Sequence, residues 1–105
     1  MLIEKMDIIE IKKYYNKKYS KILNFIIKNE KYNKLEFSID KDCSHYLELF
    51  GKSKENENFY LKINHGISNS YPYNTWFKSN RFKEIERNRF RNQEDVIEYL
   101  TAIKF

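Results

Sequence analysis

The residues best suited to binding chemistry lie in the segment SNSYPYNTWFKSNRF (68–82) and just after it. This segment contains the only tryptophan of the chain, Trp76, and the only proline, Pro72, with Tyr71 and Tyr73 on either side of the proline. The arginines of the chain all lie in or after the same segment: Arg81, Arg87, Arg89 and Arg91. Because aromatic rings stack on unpaired bases and arginine forks bind phosphates and carboxylates, this region predicts a binding surface.

The aromatic residues of this segment divide into two kinds. Tyr71, Tyr73 and Trp76 carry a polar group and are predicted to lie exposed in a loop stiffened by proline. Phe77 and Phe82 have no polar group, so we expect them to anchor the segment in the core.

A catalytic function for the same region would be RNA cleavage. This reaction needs an acid or base near the 2′-hydroxyl and cations around the phosphate. The candidates are His65, Glu84, Glu86, Arg87, Arg89 and Tyr99. A small toxin-type ribonuclease is therefore an alternative function, by analogy of size and charge.

Metal and cofactor chemistry have little support in the sequence. A structural zinc site needs four ligands, and Cys43, His45 and His65 are the only cysteine and histidines, with Asp40 or Asp42 available to complete a set. The same Cys43 and His45 could form a nucleophile–base pair, which is a nonspecific signal. The two glycines lie in no phosphate-binding fingerprint. We expect no metal, no cofactor and no catalytic residue.

Composition predicts a single domain over residues 1–105 with a polyanion or protein as partner. The net charge is +5 at pH 7, and aromatic residues make up 17% of the chain. One cysteine precludes an intramolecular disulfide and suits the cytoplasm. The first residues do not resemble a signal peptide, and the apolar run ILNFII is too short to span a membrane.

Residues 3–30 predict one long helix, with Asp7 and Glu10 as a capping box. Its apolar stripe, at steps of three or four residues, consists of Ile8, Ile11, Tyr15, Tyr19, Ile22 and Ile26. Lysines lie at near-helical spacing on another side, and three of them are candidate binding residues: Lys13, Lys17 and Lys21.

Alternating apolar residues predict three strands at 34–40, 45–51 and 59–65, joined as an antiparallel meander. Residues 67–80 lack a clean period, and the proline argues against a central strand there. Residues 81–90 are either a fourth strand, which we favour, or a helical turn.

Asn92 and Asp95 predict the start of a final helix, whose buried face is Val96, Ile97, Leu100 and Ile103. The expected fold is α+β, with a three- to four-stranded antiparallel sheet. The long N-terminal helix and the C-terminal helix would both cover one face of that sheet.

The leading functional prediction is a non-catalytic binding protein. Tyrosine, tryptophan and arginine are enriched in protein interfaces, and nine tyrosines exceed what a small core easily satisfies. Isoleucine, lysine and asparagine use AT-rich codons, which suits a phage or another mobile element. We therefore expect an anti-CRISPR-like inhibitor of a protein or ribonucleoprotein complex that handles nucleic acid. Direct binding of single-stranded RNA or DNA is the alternative.

Overall fold

The computed structural model describes residues 3–15, 17–40, 46–55, 57–66, 70–80 and 84–103. The strands are β1 (Ile3–Lys5), β2 (Glu36–Asp40), β3 (Leu47–Lys52), β4 (Asn58–His65), β5 (Tyr73–Ser79) and β6 (Glu86–Phe90). The helices are α1 (Ile8–Tyr14), a 3-10 helix (Lys17–Tyr19), α2 (Ser20–Lys28), α3 (Glu30–Asn33) and α4 (Gln93–Ala102).

All six strands of the described chain form one sheet in the order β1-β2-β3-β4-β5-β6. Each strand is antiparallel to the next. The α+β class and the antiparallel meander agree with the sequence prediction, but the prediction of three or four strands is wrong. Both additional strands come from segments in which the sequence pattern was misread.

The first misread strand is β5, which lies between β4 and β6 and is therefore a central strand. Pro72 is the residue just before β5 and not part of it, so every residue of the strand keeps a backbone N–H that can pair. The strand alternates as expected of β structure, but two of its inward residues, Thr75 and Ser79, are polar and nevertheless buried. Thr75 Oγ1 donates a hydrogen bond to the Asn88 carbonyl at 3.2 Å, which satisfies the buried hydroxyl.

The long N-terminal helix is the second error. Residues 3–5 pair with β2 instead, and the remaining segment is divided into α1, the 3-10 helix, α2 and α3. The first break occurs at Tyr15, whose backbone is extended with φ −96° and ψ 150°. Asp7 does cap α1, since its carboxylate accepts a hydrogen bond from the Ile9 N–H at 2.8 Å.

The apolar stripe of this segment is nevertheless buried except at Ile8, which is only partly buried. Ile11, Tyr15, Tyr19, Ile22 and Ile26 all lie in the core. The segment from α1 to α2 therefore directs inward most of the residues that a continuous helix would have buried.

The core lies between the helices and one face of the sheet. Phe77 is fully buried, as predicted, and its ring contacts Phe59 at a centroid distance of 5.3 Å. From the helical layer, Tyr99 of α4 meets Phe77 edge-on at 6.2 Å. Phe82 lies outside the described residues.

The final helix is confirmed. Asn92 Oδ1 accepts a hydrogen bond from the Asp95 N–H at 2.9 Å, and Val96 and Leu100 are fully buried. Residues 86–90 of the ambiguous preceding segment are strand β6.

Hydroxyl groups of buried tyrosines bind backbone atoms of the opposite layer. Tyr15 Oη accepts from the Glu48 N–H at 3.4 Å, and Tyr19 Oη accepts from the His65 N–H at 3.3 Å. In the other direction, the hydroxyl of Tyr73 in β5 donates to a helical-layer carbonyl at 3.0 Å. These hydrogen bonds satisfy the hydroxyl groups that the core encloses.

Candidate functional site

The outward side chains of β3–β6 form a surface on the face of the sheet opposite the helices. Along each of these strands the outward side chains are more exposed than the inward ones. These outward residues, called the open face below, are Glu48, Phe50, Lys52, Asn58, Tyr60, Lys62, Asn64, Asn74, Trp76, Lys78, Arg87 and Arg89.

A row of alternating rings and cations crosses the open face. Lys62 and Arg87 are the cross-strand partners of Trp76 on its two sides. Lys62 Nζ lies 4.3 Å from the ring centroid of Tyr46 and 4.8 Å from that of Trp76, and Arg87 Cζ lies 5.5 Å from Trp76. Because aromatic faces attract cations, this Trp76 row (Tyr46, Lys62, Trp76, Arg87) holds two positive charges in fixed positions.

A second row lies beside the first, where Phe50, Tyr60 and Lys78 are paired across β3, β4 and β5. The rings of Phe50 and Tyr60 have centroids 5.3 Å apart and are tilted by 46°. The Tyr60 hydroxyl donates a hydrogen bond of 2.6 Å to Glu48 Oε2. These residues and Ile85, which is 50% exposed, line an open cavity of about 840 Å³, called the Tyr60 pocket.

The open face is strongly basic on its β4–β6 side. The outward positions of these three strands carry four cations and no carboxylate: the cations are Lys62, Lys78, Arg87 and Arg89. The carboxylate of Glu48 lies on the neighbouring strand β3. A second cleft, of about 310 Å³, lies between Trp76, Arg87 and Arg89. This side of the face therefore concentrates positive charge around Trp76.

Three of the predicted binding residues come together on the open face. Trp76 and Arg87 are directly paired, and Arg89 is paired with Asn74 in the next row. Tyr71 lies before β5 and is 50% exposed.

Tyr73 faces the core and is only 8% exposed, so its predicted exposure is wrong. Tyr73 is buried because it occupies an inward position of β5, where its hydroxyl donates a hydrogen bond to the Lys18 carbonyl. The other error concerns Trp76, which lies within a strand and not in a loop.

The remaining predicted residues lie away from this surface. Lys13 and Lys21 are exposed on the helices, which cover the other face of the sheet. Lys21 Nζ binds Glu94 Oε1 at 2.6 Å, and this hydrogen bond raises the pKa of Lys21 and lowers that of Glu94. Arg91 Nε lies 3.5 Å from Asp95 Oδ2, one helical turn away. Arg81 and the Lys17 side chain lie outside the described residues.

The residues proposed for ribonuclease chemistry are separated by the sheet. Arg87 and Arg89 face outward, whereas Glu86 faces the helical layer and accepts a 3.0 Å hydrogen bond from the Tyr99 hydroxyl. Burial raises the pKa of Tyr99 well above its ordinary value of 10. His65 is paired with Tyr73 and Glu86 is paired with Phe77, and these two partners lie four residues apart on β5. His65 and Glu86 are therefore separated by about 13 Å along the strand direction. The geometry does not bring these groups around one phosphate.

Neither a metal centre nor a membrane helix is found in the described part of the chain. Among these residues, His, Cys, Asp and Glu form no group of three or more that could hold a metal ion. No helix among them has the length and apolar character needed to cross a membrane. Cys43 and His45 lie outside the described residues.

Sequence reasoning missed Lys62, Tyr60, Phe50 and Lys78 as parts of one surface. The outward direction of Phe50, Tyr60 and Lys62 could be read from the alternation of β3 and β4. Their proximity to Trp76 could not, because it depends on β5 being the neighbour of β4. Recognising the alternation from Tyr73 to Ser79 would have supplied that signal.

Models of protein families, curated proteins and solved structures were all compared with the chain, and none of them matches.

Proposed function

We propose that the protein is a non-catalytic binding protein whose open face binds single-stranded nucleic acid. The observation that carries this proposal is the set of outward positions on β4–β6, which hold four cations and no carboxylate together with the rings of Trp76 and Tyr60. Cations bind the phosphate backbone, and aromatic rings bind bases that are not paired in a duplex.

The fixed positions of the cations support a phosphate-binding role. Lys62 is held between the rings of Tyr46 and Trp76, and Arg87 lies on the other side of Trp76. A side chain that is already ordered loses less conformational entropy when it binds an anion. The rings on this surface favour single strands, because unpaired bases can stack on aromatic side chains whereas the bases of a duplex are already stacked on one another.

Affinity for short labelled RNA and DNA oligonucleotides tests the proposal. Fluorescence anisotropy across a salt series should show affinity that falls as salt rises, with a slope of about 0.7 per phosphate contact on a log–log plot. The double variant Trp76→Ala/Arg89→Ala should bind at least tenfold more weakly while it keeps the wild-type circular dichroism spectrum. Salt-independent binding, or full affinity in the folded double variant, contradicts the proposal.

An inhibitor of a nucleic-acid-handling complex is the second candidate, and Ile85 favours it. This residue is 50% exposed beside the rings of the Tyr60 pocket. An exposed apolar side chain next to aromatic and basic residues is typical of a protein interface. In this role the protein would come from a phage or mobile element and would act in the cytoplasm on a complex that contains nucleic acid.

A pull-down from lysate with and without nuclease treatment separates the two candidates. An inhibitor should retain a defined complex after nuclease treatment, and the added protein should abolish the activity of that complex. The Ile85→Ser variant should lose this partner. Loss of every partner upon nuclease treatment would leave direct nucleic-acid binding as the function.

A further inference from the structure

We infer that the Tyr60 pocket receives one unpaired base and selects guanine through the carboxylate of Glu48. This inference rests on the proposed function, since it assigns base specificity to a surface that binds single strands. It starts from a feature that phosphate binding does not require, namely a carboxylate beside a row of cations.

The pocket has the size and walls needed for a base. Its volume of about 840 Å³ lies in the range of small-molecule sites. The rings of Phe50 and Tyr60 form an aromatic wall, and Ile85 contributes an apolar surface. A planar base can therefore stack in the pocket without displacing the cations from the Trp76 row.

The backbone of the bound strand has cations close to this pocket. Lys78 lines the pocket and is paired with Tyr60, and Lys62 lies two residues along β4 from Tyr60. Two residues of a strand span about 7 Å, so phosphates on either side of the bound base would meet different lysines.

Glu48 is held in place to contact the edge of the base. Its Oε2 accepts the 2.6 Å hydrogen bond from the Tyr60 hydroxyl, and its side chain also lines the pocket. A carboxylate has about four acceptor positions, so capacity for further hydrogen bonds remains after this one. The hydroxyl of Tyr60 fixes the orientation of the carboxylate while its ring serves as the wall.

Guanine is the base that matches a fixed carboxylate. Its N1–H and N2–H groups lie side by side and can donate to the two carboxylate oxygens, and such charge-assisted pairs are the stronger kind of hydrogen bond. Adenine and cytosine present a single amino group beside a ring nitrogen that is an acceptor. Uracil presents one N–H between two carbonyl oxygens. These oxygens would lie close to the carboxylate oxygens and repel them.

Three labelled RNA octamers test the inference: UUUUUUUU, UUUGUUUU and UUUIUUUU, in which inosine lacks the 2-amino group of guanine. Wild-type protein should bind the guanine octamer about tenfold more tightly than the uracil octamer, as expected for a bidentate base contact. The inosine octamer should lose most of this gain. An octamer series in DNA shows whether the same preference holds without the 2′-hydroxyl.

Glu48→Gln is the decisive variant, because it keeps the size of the side chain and replaces one acceptor oxygen by a donor. It should abolish the guanine preference and leave binding of UUUUUUUU at the wild-type level or slightly above it. Tyr60→Phe keeps the ring and should reduce the preference by releasing the carboxylate. Glu57→Gln, at a position that does not line the pocket, is the matched control and should retain the preference.

The outcomes separate this inference from the proposed function. Equal affinity of wild type for all three octamers, with salt-dependent binding intact, overturns the guanine site and leaves the proposed function standing. Retention of the guanine preference in both the Glu48 and Tyr60 variants, with wild-type circular dichroism, also overturns it. Absence of binding to any octamer at low salt overturns both.

Discussion

The two faces of the sheet are built from the same strands and meet opposite physical requirements. In β4 the inward residues Phe59, Leu61 and Ile63 are buried, whereas the outward residues between them include Tyr60 and Lys62. Because side chains alternate along a strand, one sequence segment supplies the core and the binding surface at once. Substitutions of neighbouring residues should therefore affect stability or binding separately.

The aromatic residues show the contrast most clearly. On the covered face, the rings of Phe59 and Phe77 pack against each other and against tyrosines of the helices. On the open face, the ring of Trp76 contacts two cations. The same residue class therefore serves packing on one face and the positioning of charge on the other.

The largest expected effect is on stability, from Phe77→Ala. This residue is fully buried against Phe59 and Tyr99, and truncation of a buried phenylalanine leaves a cavity. The free energy of unfolding should fall by about 3–5 kcal/mol in urea denaturation. Lys78→Ala is the control, because Lys78 is exposed at the next position of β5, and a change within about 0.5 kcal/mol is expected. Equal destabilisation by both variants would contradict the division between the faces.

The second effect concerns the buried tyrosines and appears at alkaline pH. Burial raises the pKa of Tyr32 above its ordinary value of 10. Unfolded tyrosine ionises near pH 10 while the folded residue keeps its proton, so this contribution to stability is complete below pH 10 and is lost as the pH rises above it. Tyr32→Phe should make the alkaline decline in the free energy of unfolding less steep.

At neutral pH the same variant should cost about 1–3 kcal/mol, because the Leu100 carbonyl loses the hydrogen bond from the Tyr32 hydroxyl. Tyr71→Phe is the control at an exposed tyrosine and should keep the neutral-pH stability of the wild type. A wild-type denaturation midpoint that stays constant from neutral pH to well above pH 10 would refute the role assigned to burial.

The sequence predicted strands and helices correctly where the signal depended only on neighbouring residues. Alternation identified β3 and β4, and the Asn92 cap identified α4, because these signals depend on nearby residues. The strand β5 was missed because Thr75 and Ser79 occupy buried positions, so hydrophobicity did not mark the inward side. Pairing with β4 and β6 stabilises this strand, and such tertiary context overrides local preference.

The candidate site was likewise predicted only in part. Trp76, Arg87 and Arg89 could be chosen from residue type alone. Their assembly with Lys62 and Tyr60 depends on the register between strands, in which Lys62 is opposite Trp76. The break at Tyr15 is likewise not marked by proline or glycine, so periodicity alone predicted a continuous helix.

The third prediction concerns binding by the open face. Arg87→Ala removes a cation that is held against the ring of Trp76. Affinity for an RNA octamer should fall by about three- to tenfold, and the salt slope should decrease by about 0.7, as expected for one lost phosphate contact. Isothermal calorimetry at three salt concentrations measures both. Because Arg87 is exposed, the urea midpoint should stay near that of the wild type.

The smallest expected effect is the most informative about the comparison. Lys21→Gln and Lys62→Gln remove the same charge from opposite sides of the molecule, since Lys21 lies on α2 and pairs with Glu94. If binding depended on net charge alone, both variants would weaken it equally. If it depends on the open face, Lys62→Gln should lower octamer affinity several-fold and Lys21→Gln should leave it unchanged. Equal losses would mean that the arrangement of rings and cations around Trp76 contributes nothing specific.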